Sequence, residues 1–236
     1  MRKIAIGVAG LLLVLVGVWQ LSVSRSFQLF GDMFDRVETS DKVVALTFDD
    51  GPTPRHTQAL LAVLREKNVK ATFYLTGQEI TKNPQEGREI VAAGHEVGNH
   101  TYTHPRMLFK SYGKLKGEVD TTEAAIRSIG YIGPLTFRPP YGKKLLGLPF
   151  YLSQRGITSV MWDVAPEDSA EVGASADKII KHVADNVRPG SIVLLHVMYK
   201  SRQASMAAVP GVIDALRQKG YTFVTVSELA KRRTKP

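Results

Sequence analysis

The sequence contains no cysteine. Disulfides, thiolate nucleophiles and thiolate metal ligands are therefore excluded, and any bound metal must sit on nitrogen and oxygen donors. Acidic side chains are also in deficit: 22 Asp and Glu stand against 31 Lys and Arg, a formal charge of +9. The basic residues are scattered, apart from the tail Lys231-Arg232-Arg233-Thr234-Lys235, which alone reads as a solvated face. Nucleic acid is not the expected partner. Anionic wall polymers or lipid headgroups suit an exported basic surface better.

Export is what the N-terminus points to. Arg2 and Lys3 precede an apolar run over residues 4–23, interrupted by glycines, Gln20 and Ser22. At about 1.5 Å rise per residue this run is long enough to cross a hydrocarbon core of roughly 30 Å. Positive charge at its start favours keeping that end in the cytoplasm, and Trp19 near its outer end suits the headgroup level. The expectation is a single-pass membrane anchor with the rest of the chain outside the cell. A secreted product is the alternative if the segment is cleaved, although the run exceeds the usual apolar core of a signal peptide and Ser22-Val23-Ser24 is a loose cleavage match. The expected organisation is residues 1–24 as signal anchor or transmembrane helix, 25–41 as linker, 42–232 as one catalytic domain and 233–236 as a basic tail.

Beyond the linker, strand and helix patterns alternate. Strands are expected at residues 43–48, 71–75, 96–98, 136–138, 158–162, 191–195 and 221–226. Helices are expected at 55–67, from Pro84 to Gly94, and at 114–129, 145–155, 174–187 and 203–219, followed by a terminal helical turn. With no internal repeat, this order fits a doubly wound sheet or a parallel α/β barrel. The polar clusters decide between them, because Asp49-Asp50, His100, Arg138, residues 162–168 and His196 all fall at C-terminal ends of expected strands. A barrel gathers such loops from several strands, whereas an open sheet gathers them at one switch point. The expected fold is an irregular (β/α) barrel of about seven parallel strands, preceded by one N-terminal transmembrane helix.

Asp49-Asp50, in Thr47-Phe48-Asp49-Asp50-Gly51-Pro52, and His100-Thr101-Tyr102-Thr103-His104 together read as a metal site. Two imidazoles and one carboxylate hold a divalent ion with positions left open for water, and the second carboxylate is then available as a base. Alone, the acidic pair would equally fit a helix N-cap after a strand. The histidines tip the balance toward metal-assisted hydrolysis.

Thr-Phe-Asp-Asp-Gly-Pro, His-Thr-Tyr-Thr-His, Arg138-Pro139-Pro140-Tyr141, the Trp162-Asp163 segment and Leu194-Leu195-His196 occur in this order. The series resembles the polysaccharide deacetylases of the NodB-like group, carbohydrate esterase family 4, over residues 42–229. The resemblance implies that Asp50, His100 and His104 bind a divalent metal, usually zinc, with cobalt or nickel as alternatives, while Asp49 is the general base. It implies further that Arg138 holds Asp49 in position and that Tyr141 lends its backbone N–H to the oxyanion. His196 is then the general acid protonating the leaving amine, and Asp168 the carboxylate orienting His196, with Asp163 a weaker candidate. Each role makes chemical sense: a guanidinium fork keeps a carboxylate ionised and aimed, and amide cleavage requires a protonated leaving nitrogen.

Two departures bear on substrate choice. The family commonly has tryptophan after the aspartate of its fourth motif, whereas Asp168 is followed by Ser169; it also often has aspartate after the last histidine, where this chain has Val197-Met198-Tyr199. Trp162, Tyr141, Tyr102 or Tyr199 are the remaining candidates for a sugar platform. The expected activity is metal-dependent removal of acetate from N-acetylglucosamine residues of an extracellular polysaccharide, peptidoglycan first. Chitin oligomers or an O-acetylated polysaccharide are alternative substrates, and an inactive metal- or glycan-binding wall protein is the non-enzyme alternative.

Overall fold

The computed structural model describes the backbone of residues 2–233 and the side chains of residues 10 and 12–233. Tail residues 234–236 lie outside the described residues. A first helix, α1, runs Arg2–Val23. Among the described residues no helix is long and apolar enough to cross a membrane, and the side chains of residues 2–9 and 11, on which the expected anchor depends, lie outside them.

Seven strands follow among the described residues: β1 Met33–Phe34, β2 Val43–Asp49, β3 Thr72–Leu75, β4 Glu96–Asn99, β5 Ser159–Val160, β6 Ser191–His196 and β7 Thr222–Val224. Between them lie α2 Pro54–Glu66, α3 Gly77–Lys82, α4 Pro84–Ala92, α5 Tyr112–Ser128, α6 Gly147–Gln154, α7 Ala170–Gly173, α8 Ala176–Asn186 and α9 Gln203–Gln218, with α10 Val226–Ala230 at the end. Every pairing between these strands is parallel. β2 is the central stave: it pairs with β6 along one edge, and with β3 above and β7 below on the other. All seven of its residues are buried, as a strand covered on both faces requires.

The α/β fold with parallel strands thus matches the expectation, and its irregularity has a local cause. Around the ring, β4 reaches β5 only through Phe137, which bridges Asn99 on one side and Ser159 on the other, and the closing contact to β6 is the single bridge Val164–Val193. A strand was expected at residues 136–138; a single bridging residue, Phe137, is found. Pro139 and Pro140 follow immediately and have no N–H to extend a ladder. At the chain end, the expected strand 221–226 shortens because Thr225 leaves the sheet to cap α10, accepting from the Glu228 N–H while Glu228 reaches back to the Thr225 N–H, a reciprocal capping box. Neither α3 nor β1 was expected.

Residues 25–41, expected as a linker, are built into the domain instead. β1 pairs with β5, Phe34 and Val37 are buried, Arg36 Nη1 donates to the Pro189 carbonyl at 2.8 Å, and the Val37 N–H donates to the Gly190 carbonyl at 3.0 Å. A two-residue strand has no period for sequence reasoning to read.

The core lies on both sides of β2. Phe48, Phe73, Leu60, Leu64, Ile126 and Val193 are fully buried between the sheet and its helices, each contributing about 1.5–3 kcal/mol relative to exposure. α2 illustrates how: Pro54 opens its first turn, where the missing N–H costs nothing, and Leu60 and Leu64, one turn apart, both face inward.

Gly190 links this core to the segment before it. Its φ is +79°, and a Cβ there would lie 1.8 Å from the Val37 carbonyl oxygen. Gly190→Ala is expected to lose about 2–4 kcal/mol of stability, read as a lower urea midpoint at unchanged slope. An unchanged midpoint would show that residues 36–37 are not held against this turn.

Candidate active site

The C-terminal ends of the strands carry the polar clusters, and they converge on one cavity of about 690 Å³ lined by Asp49, Asp50, His100, His104, Trp162 and His196, among others. A second cavity of about 680 Å³ lies between α2 and α4 and is lined by one acid, Glu89, and one imidazole, His95, whose Nδ1 accepts from the Ala71 N–H.

Asp49 ends β2 with its side chain buried, and Arg138 Nη1 donates to its Oδ1 at 2.6 Å. Arg138 is itself fully buried. It donates further to Thr47 Oγ1 at 2.8 Å and to the carbonyls of Val160 and Met161 at 3.2 and 3.1 Å, with its guanidinium 4.1 Å from the Tyr74 ring centroid. Burial alone would raise the Asp49 carboxyl, but the charges of Arg138, His100 and His196 hold it below the ordinary carboxylate value. Asp49 is thus kept ionised although buried.

Asp50, His100 and His104 offer ligand atoms that all lie within 4.8 Å of one another. His100 Nε2 is 3.2 Å from His104 Nε2, and Asp50 Oδ1 is 3.5 Å from His104 Nε2 and 4.0 Å from His100 Nε2. Ligands about 2.0–2.2 Å from a tetrahedral centre stand roughly 3.4 Å apart, so the cluster fits a zinc-like ion with small adjustments. The His100 ring is oriented by its Nδ1–H, which donates to the Arg138 carbonyl at 2.7 Å and leaves Nε2 as the ligating atom. Burial, followed by the charge of His100, pulls His104 down to about 4, keeping it in the neutral form that binds metal.

Backbone strain gathers at this site. Asp50, Thr101, His104 and Tyr141 have φ of +75°, +68°, +57° and +58°, a region non-glycine residues adopt rarely. Surrounding hydrogen bonds hold two of them: the Asp50 N–H donates to the Tyr74 carbonyl at 3.1 Å, and the Thr101 N–H donates to Asn99 Oδ1 at 2.9 Å.

Across the cavity, His196 ends β6. Its partner corrects the sequence expectation: Glu167, not Asp168, meets its ring, with His196 Nδ1 donating to Glu167 Oε2 at 2.5 Å and the His196 N–H to Oε1 at 3.2 Å. Ser205 donates to the same carboxylate. The 3₁₀ turn Pro166–Asp168 buries Glu167 and leaves Asp168 exposed, where Asp168 accepts from Arg25 Nη2 at 2.7 Å. Asp163 is also displaced from the expected role, because it accepts from Ser191 Oγ and the Ile192 N–H, both at 2.8 Å, and braces β6. Burial lowers the affinity of His196 for a proton, but the Glu167 hydrogen bond and the charges of Asp49 and Glu167 outweigh it, so the net shift is upward. The signal for Glu167 was present in the sequence as a second carboxylate beside Asp168; which one turned inward depended on the turn.

Tyr141 lines the cavity with its side chain half exposed, its ring 4.8 Å from that of His104. Trp162 also lines it but is 6% exposed, and the Arg25 guanidinium sits 4.6 Å from its ring centroid. Of the four expected platform candidates, all of which line the cavity, Trp162 is thus covered by an arginine that sequence reasoning did not single out.

The profile of the family described as Polysaccharide deacetylase matches residues 36–160. A peptidoglycan-N-acetylglucosamine deacetylase of Bacillus cereus is 34% identical, the match covering 83% of this chain and 91% of that protein. A chitooligosaccharide deacetylase of a Bradyrhizobium species is 36% identical, with 79% and 90% covered. Among solved structures, a peptidoglycan N-acetylglucosamine deacetylase in complex with 4-naphthalen-1-yl-N-oxidanyl-benzamide superposes with a TM-score of 0.78 at 34% identity, covering 83% of this chain and 91% of that one.

Removing Arg138 would leave the Asp49 charge buried and unpaired, so Arg138→Ala is expected to destabilise by about 3–5 kcal/mol at neutral pH. The sign of the pH dependence follows from the depressed folded value of Asp49. In the wild type its stabilisation is present above the ordinary carboxylate pKa and is lost as pH falls through the folded one, so the deficit of the variant should shrink in acid. A deficit independent of pH would contradict the pairing. For His196, Glu167→Gln removes the interactions that raise its pKa and should move the alkaline limb of kcat/KM to lower pH, whereas Asp168→Asn should leave that limb in place. The opposite result would restore Asp168 as the orienting group.

Proposed function

The chain belongs to the polysaccharide deacetylases of carbohydrate esterase family 4, and we propose that it removes acetyl groups from N-acetylglucosamine residues of peptidoglycan. The observation that carries this reading is the pairing within one cavity of an ionised Asp49, locked 2.6 Å from Arg138, with the Asp50-His100-His104 cluster beside it and the Glu167-backed His196 opposite. That constellation suits a hydrolysis needing a base on one side of the scissile carbonyl and an acid on the other.

Asp50, His100 and His104 are the residues that would hold a divalent ion. Their donor set suits zinc, with cobalt or nickel as alternatives, and when bound such an ion supplies Lewis-acid polarisation and a more acidic water. Asp49 accepts the proton as water oxygen attacks the acetamide carbonyl carbon. The Tyr141 N–H, on a backbone bent to φ +58°, stabilises the developing oxyanion. His196, protonated because Glu167 and the nearby carboxylates favour its cation, donates its proton to the amide nitrogen as the C–N bond breaks. Acetate leaves, and the sugar keeps a free amine.

Peptidoglycan is preferred over other acetylated glycans on the strength of the Bacillus cereus relative, which matches over 91% of its length. The chitooligosaccharide relative, 36% identical, makes chitin oligomers the second reading. α1 is assigned as a membrane anchor holding the domain outside the cell, supported by Arg2 and Lys3 ahead of the apolar run; cleavage of that segment would give a secreted enzyme instead.

Purified full-length protein with zinc should release acetate from peptidoglycan faster than from chitin oligomers, and failure to release acetate from either would sink the reading. Asp49→Asn should retain metal yet lose roughly two to four orders of magnitude in kcat. His100→Ala should lose stoichiometric metal by elemental analysis, and metal retention there would remove His100 from the ligand set.

A further inference from the structure

The last turn of α1 and the residues after it are docked onto the rim of the active site. The Lys144 N–H donates to the Ser22 carbonyl at 3.1 Å, the buried Lys144 ammonium donates to the Ser24 carbonyl, and Lys143 Nζ sits 3.8 Å from the Trp19 ring centroid. These contacts deliver Arg25 to the cavity wall. There its guanidinium stacks 4.6 Å from the Trp162 ring centroid, while Nη2 donates to Asp168 at 2.7 Å. Among the described residues Nε and Nη1 of Arg25 have no protein partner.

We propose that Arg25 is a specificity-determining residue, whose guanidinium pairs with a carboxylate carried by the glycan beside the acetamido group that is hydrolysed. The inference rests on the deacetylase reading above and specifies its substrate class: an acidic glycan, such as a wall polymer bearing lactyl or peptide carboxylates, rather than neutral chitin.

Three observations support it. First, Asp168 already occupies the guanidinium with a carboxylate at hydrogen-bond distance, so the geometry for binding one is built. That pair is solvent-exposed on both sides, its side chains 37% and 55% accessible, and an exposed ion pair contributes about 0–1 kcal/mol, so a substrate carboxylate can replace or share it at little cost. Second, the other acidic groups facing the cavity are committed elsewhere. Asp49 is held by Arg138, Asp50 lies against His100 and His104, and Glu79 accepts from Asn83 and lies 3.5 Å from Lys82, while Glu167 sits behind the cavity wall against His196. Third, the cation is not alone: Arg106 lies over the Tyr141 ring at 4.8 Å with no carboxylate partner among the described residues, and Arg202 lines the same cavity with its Nη1 3.8 Å from Glu167 Oε2. A planar guanidinium on an indole face is also pre-organised, so little rotamer freedom is lost when it binds a planar carboxylate. Ser169, the residue after Asp168, adds no aromatic to this wall, and the Arg25 guanidinium lies there between Asp168 and the Trp162 ring.

The test compares acetate release from a soluble peptidoglycan fragment with release from the same fragment after its carboxylates are amidated, using the full chain with zinc. Wild type is expected to favour the acidic fragment by about tenfold in kcat/KM, the worth of one charge-assisted hydrogen bond. Arg25→Ala should bring that ratio close to one, and Arg25→Lys should recover part of it. Because Arg25→Ala frees the Asp168 charge to repel an anion, Arg25→Ala combined with Asp168→Asn is measured alongside it, and the ratio should remain near one. An Arg25 that only holds the segment in place would lower both substrates equally and keep their ratio, overturning the proposal. If wild type releases acetate from neither fragment, the peptidoglycan deacetylase reading fails by itself. Arg25 is then judged by calorimetric Kd, where a preference for the acidic fragment that disappears in Arg25→Ala sustains the carboxylate site and equal affinities overturn it.

Discussion

The structure depends on a buried charge pair. Taking the Arg138 guanidinium and the Asp49 carboxylate out of water costs several kcal/mol per ion, and the fold offsets that by giving the guanidinium four partners on two strands: Thr47 and Asp49 on β2, and the carbonyls of Val160 and Met161 at β5. Arg138 itself follows Phe137, whose single bridges are all that connect β4 to β5. The side chain therefore stitches the ring together where the backbone ladder is thinnest. One side chain ties β2 to β5 across the ring and keeps Asp49 ionised, which makes the site inseparable from the fold that carries it.

Short strands have a functional counterpart in the loops they release. β4 ends at Asn99, and from there the chain turns through left-handed positions at Thr101 and His104 to aim two imidazoles at Asp50, itself left-handed after β2. Such conformations cost of order 1–2 kcal/mol each for residues with a Cβ, and they persist because the peptide groups around them are bound to β3 and to Asn99. Longer strands would have run the same residues out along the sheet, with alternate side chains pointing to opposite faces, and the three ligands would not converge.

Much of this was legible from the residues alone. Alternating apolar runs gave β2, β6 and α9 nearly to the residue, since long buried strands and amphipathic helices carry strong periods. Asp49, Asp50, His100, His104, Arg138 and His196 come together in one cavity because each sits at a strand end, a position readable from the pattern before it. What escaped was short or directional. β1 is two residues long, residues 136–138 lose their ladder to the prolines that follow, and the choice between Glu167 and Asp168 rests on which way a single 3₁₀ turn sends its side chains. Arg25 escaped for a different reason: it lies far from Trp162 in sequence, and only the docking of residues 22–24 against Lys144 brings it there.

The electrostatics of the site impose a division of labour on its parts. Arg138 holds Asp49 below its ordinary pKa, and Glu167 with the nearby carboxylates holds His196 above its own. Groups pushed apart in this way suit opposite duties in the proposed reaction, one as base and one as acid. The same shift weakens Asp49 as a base: a carboxylate stabilised by a guanidinium is too poor an acceptor to deprotonate ordinary water, with its pKa of about 15.7. In the proposed reaction Asp49 therefore needs a water made more acidic beside it, and the Asp50-His100-His104 cluster, whose nearest imidazole nitrogen lies 3.7 Å from Asp49 Oδ2, is the arrangement among the described residues suited to that. The arginine that keeps Asp49 charged and the cluster that suits a cation are thus the two halves on which the proposed hydrolysis draws.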